Sequence, residues 1–355
     1  MDKKDFSTHY FFKEVNKQST KEWLNLPVKS RLAIFEEIAL QIGLPYAAVV
    51  EKDWWVVRTL ELIFQSTIAP HTVFKGGTSL SKAWGLIDRF SEDIDLALDR
   101  RFLGFAKPDN QMSGAQVSEL RKQSFKFISE KLFPEIQHLF QQSGLTGVEV
   151  RLGEVKDPDQ DPLTIEIYYP SLTDPVAYLP PRVLIEVGSR SLIEPFESRQ
   201  IISFLGEKFA GRPFADLSIQ VPTVLPERTF LEKIFLLHEE FQLPTQKIKV
   251  ERKSRHLYDV EKMMDQDFAS AALSNMALFQ SIVEHRKFLT PLRGVNYEDH
   301  IHSKINPIPP DSIISAWEKD YKAMQESMLF NPSLSFSELI DRLTVLKSRV
   351  NNIQF

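Results

Sequence analysis

The sequence predicts an α+β protein in which a mixed sheet flanked by helices, residues 1–215, precedes a helical domain, residues 216–355. Three observations lead there. Strand-like runs recur through the first part of the chain, whereas from about residue 222 the pattern is helical to the end. Two stretches near the start carry apolar residues at helical spacing and would cover one side of a core. A length of 355 residues is enough for a large core and two domains.

In chain order, 28–43 (VKSRLAIFEEIALQIG) and 46–65 (YAAVVEKDWWVVRTLELIFQ) read as amphipathic helices, with Trp54 and Trp55 in the core. A short strand at 72–74, a helix at 78–86 and a second strand at 93–98 follow. Residues 114–143 read as a helical stretch broken near Pro134. Alternating segments at 147–155, 163–169 and 182–188 are strands, separated by loops rich in Pro and Asp such as Pro180-Pro181. Pro226 before ERTFLEKIFLLHEEF marks a helix start, with Glu227 near the positive end of its dipole.

Composition narrows the function classes. The chain has no cysteine, which removes disulfides, zinc–thiolate sites and thiol nucleophiles together. No apolar run approaches a membrane span and the N-terminal residues lack a secretory pattern, so the expectation is a cytoplasmic protein without a membrane partner. A net charge of −5 gives no global attraction to nucleic acid, so any RNA contact must use a local surface.

The most informative stretch is 74–99, FKGGTSLSKAWGLIDRFSEDIDLALD. A strand runs into Gly76, Gly77, Thr78 and Ser79, a turn that lets a ligand approach free backbone N–H groups ahead of a helix. Thr78 and Ser79 add hydroxyls, although such residues also serve as routine helix caps. On the next strand, alternation sends Asp93 and Asp95 to one face and Ile94, Leu96 and Leu98 into the core. Adjacent carboxylates repel unless a cation lies between them, and hard oxygen donors suit Mg²⁺. A phosphate cradle beside metal-binding acids points to chemistry on a nucleoside triphosphate. The turn is not a P-loop, because no Lys follows a Gly at the required spacing.

KGGTSL followed by RFSEDIDL resembles the nucleotidyltransferase signature of the DNA polymerase beta-like superfamily, and more narrowly the AbiEii/AbiGii toxin family. EKDWWV at 51–56, PERTFLEKIFLLHE at 226–239 and RHLYDV at 255–260 match further blocks of that family in order, so the resemblance spans about 46–265. It implies a nucleotidyltransferase-type mixed sheet and two Mg²⁺ ions held by three acids. The reaction would be transfer of a nucleoside monophosphate from an NTP to an acceptor hydroxyl, with release of pyrophosphate. It further implies a toxin of a toxin–antitoxin or abortive-infection (phage-defence) system, a tRNA 3′ end as acceptor and a small antitoxin as partner.

The third acid is either Glu186 in VLIEVG or Glu166 in TIEIYY, both on the polar side of an alternating strand. Glu186 is favoured by the Gly-Ser-Arg turn after it and by the family's placement of its last acid on a late strand. Lys233 lies on the shoulder of the stripe Phe230, Ile234, Leu237, Phe241, where a lysine ordinarily covers apolar surface. By resemblance it matches a lysine that contacts the triphosphate. Asp259 stands four residues after Arg255 and could simply pair with it, a bond worth a few tenths of a kcal/mol. By resemblance Asp259 belongs to the active site and orients Lys233 or the acceptor. The run KIKVERKSRH at 247–256, including Arg255, is the most basic local patch and a candidate grip for the triphosphate or an RNA backbone. Lys82 flanks the glycine turn and would meet phosphates or face solvent. Two rival readings are the same transfer onto a small molecule or protein, and a nucleotide-binding module that acts by interaction without catalysis.

Overall fold

The computed structural model describes residues 16–91, 93–176, 179–329 and 331–353. Contacts divide the chain into two compact units, with a soft partition in sequence. The first comprises the described residues of Met1–Ala83, Glu92–Gly104 and Glu119–Thr223; the second comprises Trp84–Ser91, Phe105–Ser118 and the described residues of Val224–Phe355.

The first unit begins with α1 (16–25), α2 (Val28–Ile42) and α3 (Ala47–Ile63). β1 (Thr72–Lys75), α4 (Gly76–Lys82) and β2 (Asp93–Leu98) follow, then α5 (Gly114–Phe127), whose first residues belong to the second unit. One π-helical turn, Ile128–Leu132, joins α5 to α6 (Phe133–Gln142), and Pro134, which has no N–H to donate, follows that turn. β3 (Glu149–Leu152), β4 (Leu163–Tyr168), β5 (Arg182–Gly188), β6 (Phe196–Ile201), α7 (Phe204–Lys208) and β7 (Ile219–Val224) complete it. The seven strands form one mixed sheet in the order β3-β4-β5-β2-β1-β7-β6. β2 runs parallel to β5 and β1 parallel to β7, whereas β1/β2, β3/β4 and β4/β5 are antiparallel.

β4 and β5 alternate buried and half-buried residues along their length. Their buried members, with Ile94 and Leu96 of β2, make an apolar face, and α3 packs on β5 while α6 packs on β3. The opposite face carries the polar residues. Trp54 and Trp55 are buried, as the periodicity predicts. α3 is buried nearly all along, charged residues included. Glu51 accepts from the backbone and hydroxyls of 171–173, Lys52 donates to the Pro180 carbonyl at 3.1 Å, and Asp53 accepts from the Phe204 N–H at 2.7 Å. The block EKDWWV therefore anchors three separate segments.

Two strands depart from the sequence expectation. β6 is an exposed, polar edge strand, FESRQI, without alternation, and β7 contains Pro222, which argues against an interior strand. β7 also carries the sheet to residue 224, beyond the expected boundary. α4 begins at Gly76 and ends at Lys82, so the glycines lie inside its first turn.

The second unit contains α8 (Pro226–Glu240), α9 (Ser254–Met263), α10 (Asp267–Ser274), α11 (Met276–Leu289), α12 (Ile314–Met328) and α13 (Phe336–Asn351). α8 packs on α9, α10 and α11, and α9 on α12 and α13. α8 is buried almost all round rather than along one stripe, with Leu231 and Phe235 enclosed as fully as Phe230 and Ile234. The segment Trp84–Ser91 joins this unit through Phe90 N–H to the Met328 carbonyl (2.8 Å) and Asp88 N–H to the Tyr258 hydroxyl (3.2 Å). No single described helix is long and apolar enough to cross a membrane; α2 and α3 meet that test only as a pair bent by 104°.

Candidate active site

The glycine turn and the β2 acids share one corner of the first unit. Lys75 at the end of β1 pairs with Asp95, and the chain then turns at Gly76 with φ +80°. A Cβ built on Gly76 would lie 1.9 Å from Asp95 Oδ2, so the carboxylate rests against the glycine itself. Only glycine satisfies both the dihedral and the contact. Thr78 Oγ1 donates to the Asp93 carbonyl at 2.5 Å and Ser79 Oγ to the Gly76 carbonyl at 2.8 Å. Both residues are buried; the Thr78 bond ties the turn to β2 and the Ser79 bond closes the turn on itself.

The parallel pairing of β2 with β5 sets Asp95 directly beside Glu186 and Asp93 beside Leu184. Cross-strand partners project from the same face, so Asp93, Asp95 and Glu186 stand together on the polar side. Glu166 shares that face but lies on β4, beyond Leu184, and accepts hydrogen bonds from Arg182 Nη1 (2.9 Å) and the Tyr168 hydroxyl (2.6 Å). Register thus puts Glu186, and not Glu166, next to the β2 pair. Among the described residues, no group of three or more His, Asp or Glu side chains is drawn together as a ready metal cage. The donors are nonetheless all carboxylate oxygens on adjacent strands, a set whose chemistry suits a hard divalent ion.

Lys82 closes α4 and is paired with α3. Its ammonium is 2.6 Å from Asp53 Oδ1 and 4.1 Å from the centre of the Phe204 ring, nearly buried. Burial pushes the Asp53 carboxyl upward and Lys82 opposes that shift. Lys82 thus pairs with a buried acid instead of facing open solvent.

A second charged cluster lies in the second unit. Asp259 on α9 is fully buried, and Arg89 grips it with Nε to Oδ1 at 2.6 Å and Nη2 to Oδ2 at 2.7 Å. Lys233 on α8 approaches the same carboxylate at 2.9 Å, and its ammonium is 3.4 Å from His256 Nδ1. The expected Arg255–Asp259 pair is not the arrangement found: Asp259 turns inward to Arg89 and Lys233. Arg255 is half-buried, and its Nε is enclosed without a hydrogen-bond partner. Burial raises the Asp259 carboxyl, but Arg89 and then Lys233 outweigh it and hold the group well below the usual carboxylate range. Lys233 is pushed down by burial, partly restored by Asp259 and lowered again by Arg89. Burial, then Lys233, keeps His256 well below the ordinary imidazole value. Arg89 is the residue sequence reasoning passed over; the one signal was its place in the RFSEDIDL block.

The sequence matches the family described as "Nucleotidyl transferase AbiEii toxin, Type IV TA system" over residues 58–342. The chain belongs to the AbiEii nucleotidyltransferase toxin family. As an AbiEii protein it is a nucleotidyltransferase toxin of a type IV toxin–antitoxin system, which implies an NTP donor and an antitoxin partner. Its fold is similar to that of MenT4, a nucleotidyltransferase toxin from Mycobacterium tuberculosis H37Rv, with a TM-score of 0.52 and 17% identity over 91% of this chain and 90% of that one. No curated protein sequence gives a significant match.

Proposed function

We propose that this AbiEii protein transfers a nucleoside monophosphate from an NTP to the 3′ hydroxyl of an RNA, a tRNA end in particular, with Mg²⁺ bound by Asp93, Asp95 and Glu186. The observation that carries this reading is the register pairing of Asp95 with Glu186 beside a glycine turn that admits no side chain. Bound Mg²⁺ would supply charge neutralisation for the phosphates and a more acidic attacking hydroxyl. The main-chain N–H groups of Gly76 and Gly77 offer donors to phosphate oxygens, with Thr78 and Ser79 holding the turn rigid. Glu186, on the strand farther from the glycine turn, would take the proton of the acceptor hydroxyl. Within the second unit Asp259 fixes the ammonium of Lys233, the compact charge that the family resemblance assigns to phosphate. Arg255 carries an enclosed Nε–H without a partner, which an anion would satisfy.

Total tRNA incubated with each α-labelled NTP and Mg²⁺, then analysed by mass spectrometry, tests the reading. The expected product is tRNA longer by whole nucleotides with the wild-type protein and unchanged tRNA with Asp93→Asn. Transfer that survives Asp93→Asn, or label that enters only protein, overturns it.

A further inference from the structure

The polar face of the sheet continues beyond the acids. Register places Arg182 and Tyr168 as partners on β5 and β4, Tyr168 opposite Glu149 on β3, and Glu166 opposite Arg151. All share the face of Asp93, Asp95 and Glu186, because paired residues project together. Arg151 lies over the Tyr168 ring with its guanidinium carbon 4.6 Å from the centroid, and Arg182 approaches the same ring at 6.0 Å. Glu149 accepts from Arg151 at 2.6 and 2.5 Å, while Glu166 accepts from Arg182 Nη1 and Tyr168. The Arg151 side chain is 53% exposed and that of Arg182 35%.

Both arginines are therefore already balanced by glutamates. What they present is less a positive potential than a half-exposed group of two guanidinium planes around one ring. Planar cations and aromatic rings of this kind are what unpaired nucleobases stack on. Position adds to the argument. β1 and the glycine turn flank β2 on one side and β5, β4 and β3 extend on the other. A donor triphosphate at the turn leaves the β5 side for the acceptor. Arg182 stands two residues along β5 from Leu184, the partner of Asp93. Strand spacing and rise put its Cα roughly 8 Å from that of Asp93, within reach of a nucleotide next to one held at the acids.

We propose that Tyr168, Arg151 and Arg182 form a stacking shelf for the single-stranded 3′ end of the RNA acceptor. The inference rests on the RNA-acceptor reading above and names the surface that would hold that substrate. A cross-strand ladder serving stability alone would place the same ion pairs at the sheet edge, so the test separates binding from folding.

Fluorescence anisotropy with a labelled short single-stranded RNA bearing a free 3′ hydroxyl, and separately with methylanthraniloyl-NTPs and Mg²⁺, measures the two substrates on the full chain. Arg151→Ser combined with Tyr168→Ala should weaken RNA binding about tenfold or more and leave nucleotide binding unchanged. Arg151→Ser alone, at an exposed edge position, should show part of the loss with an unaltered unfolding midpoint. RNA affinity should also fall much less steeply with salt than a multi-phosphate contact requires. RNA binding and RNA extension unchanged in both variants would overturn the shelf while leaving the acceptor reading intact. Wild-type protein that labels protein or small molecules and never RNA would overturn both.

Discussion

In the first unit, Asp93, Asp95 and Glu186 form a half-buried row of like charge on two neighbouring strands, with the Asp95 carboxylate pressed against bare backbone at Gly76. In the second unit, Asp259 is fully enclosed yet held by three charge-assisted hydrogen bonds from Arg89 and Lys233. Carboxylates at half-buried positions of neighbouring strands are hard oxygen donors of the kind a divalent cation takes. Opposite charges sealed together carry a large desolvation cost that only their mutual geometry offsets. The first arrangement is half-buried on a sheet face; the second holds a lysine against a fully enclosed acid. Substitutions in the two regions should therefore fail in different ways.

The widest separation is expected from Asp95→Asn, at a half-buried position that the proposed metal site needs. Nucleotide transfer should fall by roughly a thousandfold or more, whereas the urea unfolding midpoint should hold or rise slightly. A large stability loss there would erase the contrast. Asp259→Ala should do the reverse first, destabilising the fold by about 3–5 kcal/mol because Arg89 and Lys233 are left buried without their acid. Chemical denaturation with unchanged stability in that variant would show that the cluster is hydrated after all. Gly76→Ala sharpens the first half: its Cβ would meet Asp95 Oδ2 and its φ is +80°, so the backbone or the carboxylate must move. A stability cost of about 1–3 kcal/mol accompanied by loss of transfer is expected.

The smallest effect concerns pH. His238 is pushed down to about 4, chiefly by burial and then by His300. Its Nδ1 accepts from Asn306 N–H at 3.1 Å and its Nε2 faces the Asp299 carbonyl at 3.2 Å, which fits the neutral ring. A lowered folded value means that the unfolded chain binds the extra proton, so this stabilisation is whole above the ordinary 6.5 and is lost as pH falls toward 4. At pH 5 the loss should be about 2 kcal/mol, read as a lower urea midpoint than at pH 7. An unchanged midpoint between these pH values would show that the ring charges within the fold.

The acids were legible because a strand's two-residue period marks a polar residue between apolar ones, and both Asp95 and Glu186 stand out that way. Their being neighbours was not legible. Register across nearly a hundred intervening residues is set by tertiary pairing, and without it Glu166 carried the same pattern as Glu186. Arg89 illustrates a stronger limit, since its partner Asp259 is 170 residues away and its place in the RFSEDIDL block does not point to that partner. The Arg255–Asp259 spacing gave a plausible local pair, and a distant arginine with fork geometry displaced it. The helices were read from periodicity with little change, while β6 and β7 escaped because an edge strand need not alternate and a proline counts against an interior one.

Glu51, Lys52 and Asp53 are consecutive on α3 and serve the 171–173 segment, Pro180 and the start of α7, respectively. Successive helical residues point about 100° apart, which is how one turn addresses three directions. Such a turn behaves like a reading frame. A point substitution silences a single anchor, whereas insertion or deletion of one residue just upstream would rotate all three away from their targets at once, together with the partner that holds Lys82.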